Sequence, residues 1–412
     1  MVNKTLVVIG GGAAGFFCAV NAARLDPSLQ VILLEKTNKL LSKVRVSGGG
    51  RCNLTHACFR VGDMVKKYPR GDKFLQKTFT QFGPADTIRW FEERGVAVKT
   101  EEDGRVFPVT DHSGSVVDCL LAEATRYKVT VRVSEEVQQL NRQQTRWMVT
   151  SNRAVYTADY VFVAVGGFSK EVQFSWLTAL GHSIEKPVPS LFTFNLPKHP
   201  VTKLMGLVAP DAQVKITGSK LAERGPLLVT HWGMSGPVIL RLSAWGAREL
   251  AAKNWHFSIV VNWTPAYNEN SARLYLQEHR QQKGAQKIRN KNPFDIPQRL
   301  WDWLLELVGI DPELRWADLP AKEQNLLAKQ LTTHLFEVHG KTTFKDEFVT
   351  AGGITLREID PDTMQSRLQP GLYFGGEVLD VDGITGGFNF QHAWTSGWIA
   401  AKSITSKKPA FN

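Results

Sequence analysis

The chain has 412 residues, with 50 Lys+Arg against 39 Asp+Glu, a formal net charge of +11, 43% hydrophobic residues and 22% charged ones. That balance excludes wholesale disorder, and four cysteines without a CxxC pair exclude both a disulfide scaffold and a zinc ribbon. At this length two or three domains are expected, in a reducing cytoplasm, with no metal and no membrane partner.

Residues 5–9 (TLVVI) form a β-branched apolar run that reads as a buried parallel strand. Gly10, Gly12 and Gly15 follow directly, then an apolar-faced helix from about Ala14 to Leu25. The glycines interrupt what could imitate a signal peptide from Leu6 to Val20. Asp26-Pro27 breaks the helix, and Gln30 to Leu34 is a second strand ending at Glu35. The unit is βαβ, with both strand ends on one sheet edge. Val129 to Val133 and Trp147 to Val149 read as a small antiparallel excursion, and Tyr160 to Val165 as another buried strand. From Pro187 to about Trp263 short alternating runs separated by Gly and Pro predict a β-rich insert. Residues 271–336 turn helical, Leu372 to Phe374 is strand-like, and a last helix is expected from about Gln391 to Ser403. No stretch reaches the roughly 18 apolar residues of a membrane span.

Gly10-x-Gly12-x-x-Gly15 stands where a dinucleotide fingerprint must, after a strand and opening a helix. Gly10 permits the turn, Gly12 lets backbone approach a pyrophosphate, and Gly15 lets helix and strand pack closely. Glu35, 20 residues past Gly15, is placed to accept from ribose hydroxyls. A second GxGxxG is absent, so a separate NAD(P)H-binding domain is not expected. Further glycine loops at 47–53, 166–167, 375–377 and 386–389 suit a long flavin cofactor, and FAD is the better fit.

With these motifs in hand, the chain resembles the BaiN/RdsA-type flavoproteins, also described as aminoacetone oxidase-like FAD enzymes. The matches are SGGGRCN (Ser47 to Asn53), THWGMSGP (Thr230 to Pro237), VTAGGI (Val349 to Ile354) and YFGGEVLDVDGITGGFN (Tyr373 to Asn389). The resemblance implies an α/β fold in which a split Rossmann-like FAD-binding domain carries an inserted β-barrel-like domain and a helical cap. The expected boundaries are 1–188 and 349–412 for the FAD domain, 189–265 with 336–348 for the β-rich insert, and 266–335 for the helical part. Carried over, Gly10, Gly12 and Gly15 hold the pyrophosphate and Glu35 the ribose. Lys43, Arg51, Cys52 and Asn53 border the flavin, Gly376 and Glu377 meet the ribityl and diphosphate region, and Gly387, Phe388 and Asn389 lie beneath the pyrimidine side. Ala13, Ala14, Lys36, Gly50, Val137 and Gly166 complete the cofactor contacts. Two departures from the family pattern stand near the cofactor, at Leu41-Ser42-Lys43 and at Phe168 to Phe174.

Cys52 is the candidate proton donor, because Arg51 beside it would favour thiolate and a thiol near a flavin could protonate a carbon. Packing alone is the competing reading. His231 and His392 are further candidates, although a satisfied turn histidine and a solvated first-turn side chain are the favoured readings. Between His279 and Leu300, Arg280, Lys283, Lys287, Arg289, Lys291 and Arg299 face one acid, Asp295, a cluster that could neutralise RNA phosphates. A second basic run spans Arg60 to Lys77. The resemblance implies two classes of activity: reduction of a uridine of large-subunit rRNA to dihydrouridine, with NAD(P)H as transient reductant, or redox chemistry on a small metabolite, either amine oxidation or double-bond reduction. A flavin-binding redox sensor or scaffold without turnover is a third class.

Overall fold

The structure is a computed structural model that describes residues 4–343 and 349–406, so residues 344–348 of the expected β-rich insert lie outside the described residues. Among these, the first compact unit comprises residues 4–190 and 349–406, and the second residues 191–343.

The first unit is built on a five-stranded parallel sheet. β1 (Thr5–Ile9) pairs on one side with β2 (Gln30–Leu34) and on the other with Tyr160–Val163. Leu372–Phe374 and Thr130–Arg132 are the outer strands. Every residue of β1 is buried, as a central parallel strand requires. Strand order reverses direction at β1, which makes the crevice at its carboxyl end the topological switch point, where open α/β sheets bind ligands. α1 (Ala13–Leu25) crosses from β1 to β2 and packs against the C-terminal helix Phe388–Thr405. A Cβ at Gly397 would stand 2.7 Å from the Ala14 carbonyl oxygen, so only glycine lets the two helices approach this closely. Phe17 fills the contact with Trp90 and Trp394 at ring separations of 4.6 and 5.3 Å.

Thr130–Arg132 does not belong to an antiparallel excursion, as its sequence suggests; it pairs in parallel with β2. The helix Gly114–Arg126 supplies the crossover a parallel partner needs, burying Val116, Val117 and Leu120. The antiparallel excursion is instead Val137–Gln143, Arg146–Ser151 and Val155–Ala158. The last helix opens at Phe388, earlier than its pattern indicates.

The second unit is a seven-stranded sheet ordered 334–339, 256–262, 208–216, 222–229, 233–235, 193–195 and 341–342, all pairs antiparallel. Its two end strands are consecutive in the chain around Gly340. The helices Glu269–Gln282, Gln298–Val308 and Ala321–Thr332 share one core with it: Val214 and Ile259 of the sheet belong to the same buried cluster as Leu276, Leu304 and Leu327 of the helices. Neither layer buries its apolar face alone, so the division expected at 265/266 does not separate two cores. Pro237–Trp245 and Ala247–Ala252 are helices inside the segment read as β-rich, the first opening with Pro237 directly after Gly236.

Candidate functional site

The three fingerprint glycines serve different ends. Gly10 has φ +110° and a Cβ there would lie 2.3 Å from the Ala164 carbonyl oxygen, while one at Gly15 would lie 1.9 Å from the Gly10 oxygen. Both positions are closed to any side chain by the protein itself. A Cβ at Gly12 meets nothing within 4 Å. Gly12 is the N-cap of α1, and no acidic residue sits in that helix's first turn. The amides at Ala13 and Ala14 and the helix dipole therefore favour an anion over an open cradle.

Glu35 closes this loop. One carboxylate oxygen accepts from the Gly11 N–H at 2.8 Å, the other from the N–H and hydroxyl of Thr37 at 2.9 and 2.8 Å. Beside it, at the carboxyl ends of β1 and β2, opens a cavity of about 360 Å³. Gly10, Glu35, Lys36 and Val137 line it together with Val165 and Phe168. The structure thus gathers the adenosine-end candidates around one cavity. Gly166 (φ +77°) is open on its Cβ side, as are Gly49 and Gly50 in the 47–53 loop.

A second group forms around Gly376 and Glu377. The Lys43 ammonium donates to Glu377 at 2.6 Å, and the Thr350 N–H donates to its other oxygen at 2.9 Å. The Thr350 hydroxyl is fully buried and has no hydrogen-bond partner among the described residues. A Cβ at Gly167 would come within 2.5 Å of that hydroxyl and 2.6 Å of Glu377. The Gly376 peptide is held at both ends from the C-terminal helix: its N–H donates to the Ser396 hydroxyl at 2.9 Å and its carbonyl accepts from His392 Nε2 at 3.2 Å. His392 is therefore no solvated first-turn side chain. It is buried, its Nδ1 is without a partner among the described residues, and burial pushes its pKa down to about 4. Thr350 and Ser396 escaped sequence reading, although Thr350 stands in the VTAGGI motif.

The His392 environment has a consequence for stability. An unfolded histidine takes a proton near pH 6.5, whereas the folded one resists until about pH 4. The stabilisation is present above pH 6.5 and is lost as pH falls toward 4, amounting to roughly 3 kcal/mol. The thermal midpoint should fall over this window, and His392→Asn should flatten that fall. An equal slope in the variant would contradict the assignment.

In the Ser47–Asn53 loop, Gly48, Gly49 and Gly50 have φ of +60°, +69° and +86°, and Cys52 itself adopts φ +62°. The expectation of a thiolate at Cys52 does not hold. The side chain is fully buried, and burial pushes its pKa up to about 12. Arg51 turns away to Glu101 at 2.6 Å and lies over the Phe107 ring, 4.0 Å from its centroid. Asn53, with its amide oriented to satisfy both neighbours, donates to the Thr55 carbonyl and accepts from the Gly387 N–H, each at 3.0 Å. Asn389 makes a paired bond to the Gly383 peptide, its oxygen accepting at 2.8 Å and its nitrogen donating at 3.0 Å. The Tyr68 hydroxyl donates to the Phe388 carbonyl at 2.6 Å. Asn53, Phe388 and Asn389 thus hold the entry to the C-terminal helix through these contacts.

In the second unit, the expected cation cluster is partly neutralised. Glu313, outside the 279–300 window, accepts from both Lys287 (2.6 Å) and Arg289. Those hydrogen bonds hold its carboxyl down at about 2. Arg280 donates to the Ala317 carbonyl at 2.8 Å. Lys283 and Lys291 are exposed and their charges depress His279, after burial, which is the larger cause. His231 is exposed and packs edge-on against Trp232, with ring centroids 3.9 Å apart. Among the described residues no group of His, Cys, Asp or Glu could hold a metal, and no helix is long and apolar enough to cross a membrane.

The HI0933-like protein Rossmann domain matches residues 4–403. The chain belongs to this family. Within it, the chain is 30% identical to a 3-dehydro-bile acid delta(4,6)-reductase of Clostridium scindens, covering 97% of this chain and 98% of the relative. It is also 30% identical to a ribosomal RNA dihydrouridine synthase of Escherichia coli, with 98% of each chain covered. Among solved structures, a 3-ketosteroid-delta4-(5alpha)-dehydrogenase from Rhodococcus jostii RHA1 aligns over 97% of both chains with a TM-score of 0.51 at 13% identity. That last likeness concerns the fold. The HI0933-like family thereby agrees with the resemblance carried by the SGGGRCN and TGGFN loops.

Proposed function

We propose that the chain is an FAD-dependent oxidoreductase that reduces a uridine of large-subunit rRNA to dihydrouridine, with NAD(P)H as hydride source. The observation that carries the cofactor is the cradle at Gly12: a Cβ there meets no atom of the described residues within 4 Å, at the positive end of α1, beside Glu35 and a cavity of about 360 Å³. The orphaned Thr350 hydroxyl beside Glu377 also fits a long polar ligand. When bound, FAD supplies two-electron chemistry that no side chain provides.

In this reading the amides at Ala13 and Ala14 hold the diphosphate, Glu35 accepts from the ribose, and Lys36 and Val137 border the base. Gly50 and Gly166 leave room along the cofactor's length. Lys43, Glu377 and the Gly376 peptide, clamped by His392 and Ser396, shape the region beyond the diphosphate. The C-terminal helix has 18 residues and no acid in its first turn, so its Gly387 end favours negative charge. Cys52 keeps its proton at neutral pH but is enclosed, and we read it as packing the loop on which Arg51 and Asn53 make their contacts. NAD(P)H docks transiently, since the sequence carries one GxGxxG.

The choice of RNA rests on the Escherichia coli relative and on the exposed cations of the helical part. An RNA substrate puts the protein in the cytoplasm. Lys283 and Lys291 are better placed for phosphates than Lys287 and Arg289, which Glu313 engages. Reversing Lys283 and Lys291 to Glu should weaken rRNA-fragment binding and reduce its salt slope by about 1 for each phosphate no longer neutralised. The same reversal at Lys287 and Arg289 should do less. Filter-binding titrations across salt concentrations measure both. RNA affinity unchanged in the Lys283/Lys291 variant would favour the second reading, reduction of a small-molecule double bond, which the equally similar Clostridium scindens reductase supports.

A further inference from the structure

Phe59 directly precedes the second basic run, Arg60 to Lys77, and 58% of its surface is exposed. A single exposed apolar side chain is ordinary on a protein surface. Phe59 differs in how it is held and in what surrounds it. Upstream, Thr55 and His56 pair with Val106 and Arg105, and the Ala57 N–H donates to the Gly104 carbonyl at 2.8 Å. Downstream, Arg60 leads into the short helix Val61–Met64, which buries Met64, and the Lys67 carbonyl accepts from the Ile384 N–H at 3.0 Å. The ring is therefore presented by a segment anchored on both sides, and little ordering is left to be done on binding.

Cations surround it. The side chains of Arg60 and Lys66 are 90% and 73% exposed. The Lys67 charge reaches back to His56, whose pKa is lowered first by burial and then by that charge. Among the described residues Asp63 is the acid that pairs with this group: the Lys66 ammonium donates to it at 3.0 Å, and the Arg60 guanidinium lies 3.5 Å from its other oxygen. Pairs as exposed as these are readily exchanged for contacts with phosphate. Arg105, close by, is engaged by Asp103 and Glu101 at 2.7 and 2.9 Å. The segment also adjoins the entry to the C-terminal helix. The His56 ring stacks on Phe388 with centroids 4.7 Å apart, and a Cβ at Gly387 would lie 2.5 Å from the Thr55 carbonyl oxygen. That entry is where the flavoprotein reading puts the isoalloxazine.

We infer that Phe59 is a stacking platform for an unpaired RNA base beside the target uridine, with Arg60 and Lys66 gripping the flanking phosphates. The inference deepens the RNA reading and rests on it. A uridine that leaves its stack to reach a flavin uncovers the faces of its neighbours, and an aromatic ring covering one of them offsets part of the unstacking cost. A ring set among cations suits single-stranded nucleic acid, the ring taking a base face and the cations the backbone. A duplex, whose base faces are already covered, offers the ring nothing.

The test is binding of the flavin-loaded chain to oligouridylate and to an RNA duplex of equal length, followed by fluorescence anisotropy across salt concentrations. Phe59→Ala should weaken oligouridylate binding by about 5- to 100-fold, the range of one base–aromatic stack, with salt slope and duplex affinity unchanged. Phe59→Tyr should keep most of the affinity. Arg60→Ala with Lys66→Ala should instead lower the salt slope by about 0.7 for each phosphate released. Flavin content and thermal midpoints check that each variant is folded. Unchanged oligouridylate affinity in Phe59→Ala, or an equal loss on the duplex, would overturn the inference and leave the RNA reading to stand on Lys283 and Lys291. A parental chain that binds neither RNA would end both.

Discussion

Gly12→Val is expected to give a folded protein without bound flavin, whereas Gly15→Ala is expected to damage the fold itself. Gly12 has φ −92° and ψ −168°, extended backbone that valine adopts readily, and its Cβ direction is empty to 4 Å. The branched side chain would occupy the cradle and displace a diphosphate from the start of α1. Losing even one or two charge-assisted hydrogen bonds of about 1.5–3 kcal/mol each lowers FAD affinity by about 10-fold or more. At Gly15 the added methyl would sit 1.9 Å from the Gly10 carbonyl oxygen, a rigid backbone atom. Overpacking of that kind costs about 1–3 kcal/mol or more, visible as a lower thermal midpoint with or without cofactor. Flavin absorbance after gel filtration and melting of the stripped proteins separate the two effects. A yellow Gly12→Val protein would show that the diphosphate does not lie there.

Asp382→Ala should be strongly destabilising to the first unit. The Asp382 side chain is completely buried, and the Arg70 guanidinium beside it is only 10% exposed. Arg70 donates to Asp382 through two nitrogens, and the Ser190 hydroxyl adds a third bond at 2.8 Å. These contacts tie the loop before the C-terminal helix to the segment around Tyr68, whose hydroxyl holds the Phe388 carbonyl. Removing the carboxylate takes two charged hydrogen bonds and the Ser190 bond out of a buried site, at a cost of about 3–5 kcal/mol. Replacing both partners at once, Arg70→Met with Asp382→Leu, should recover part of that loss, because the buried pair is then exchanged as a unit for apolar side chains. A single variant that melts within experimental error of the parent would contradict this.

The β1–α1–β2 unit was legible because every signal in it is local: strand composition, glycine spacing and an acid at a fixed distance all fall within residues 5–35. The place of Thr130–Arg132 was not, since three residues carry no information about a partner a hundred positions away, and only the sheet assigns them to β2. Cys52 shows the same limit at shorter range. Adjacency to Arg51 suggested an electrostatic effect, but successive side chains on a glycine-rich loop diverge, and Arg51 reaches Glu101 instead. The cation cluster was overestimated because Glu313 enters from another segment. His392 was singled out, but its clamp on Gly376 depends on a helix that begins at Phe388 and on a turn joined to it only by folding. Asn53 and Asn389, carried over as cofactor contacts, use their amides on backbone groups: Asn53 on Thr55 and Gly387, Asn389 on Gly383.

The central claim is that a flavin held at the β1 switch point serves reduction of an rRNA uridine. Nucleoside mass spectrometry of large-subunit rRNA, from cells with the gene, without it, and complemented by Gly12→Val, tests it most directly. The account predicts a dihydrouridine present only with the parental gene, lost on deletion and not restored by the variant. An identical dihydrouridine content in all three strains would contradict it.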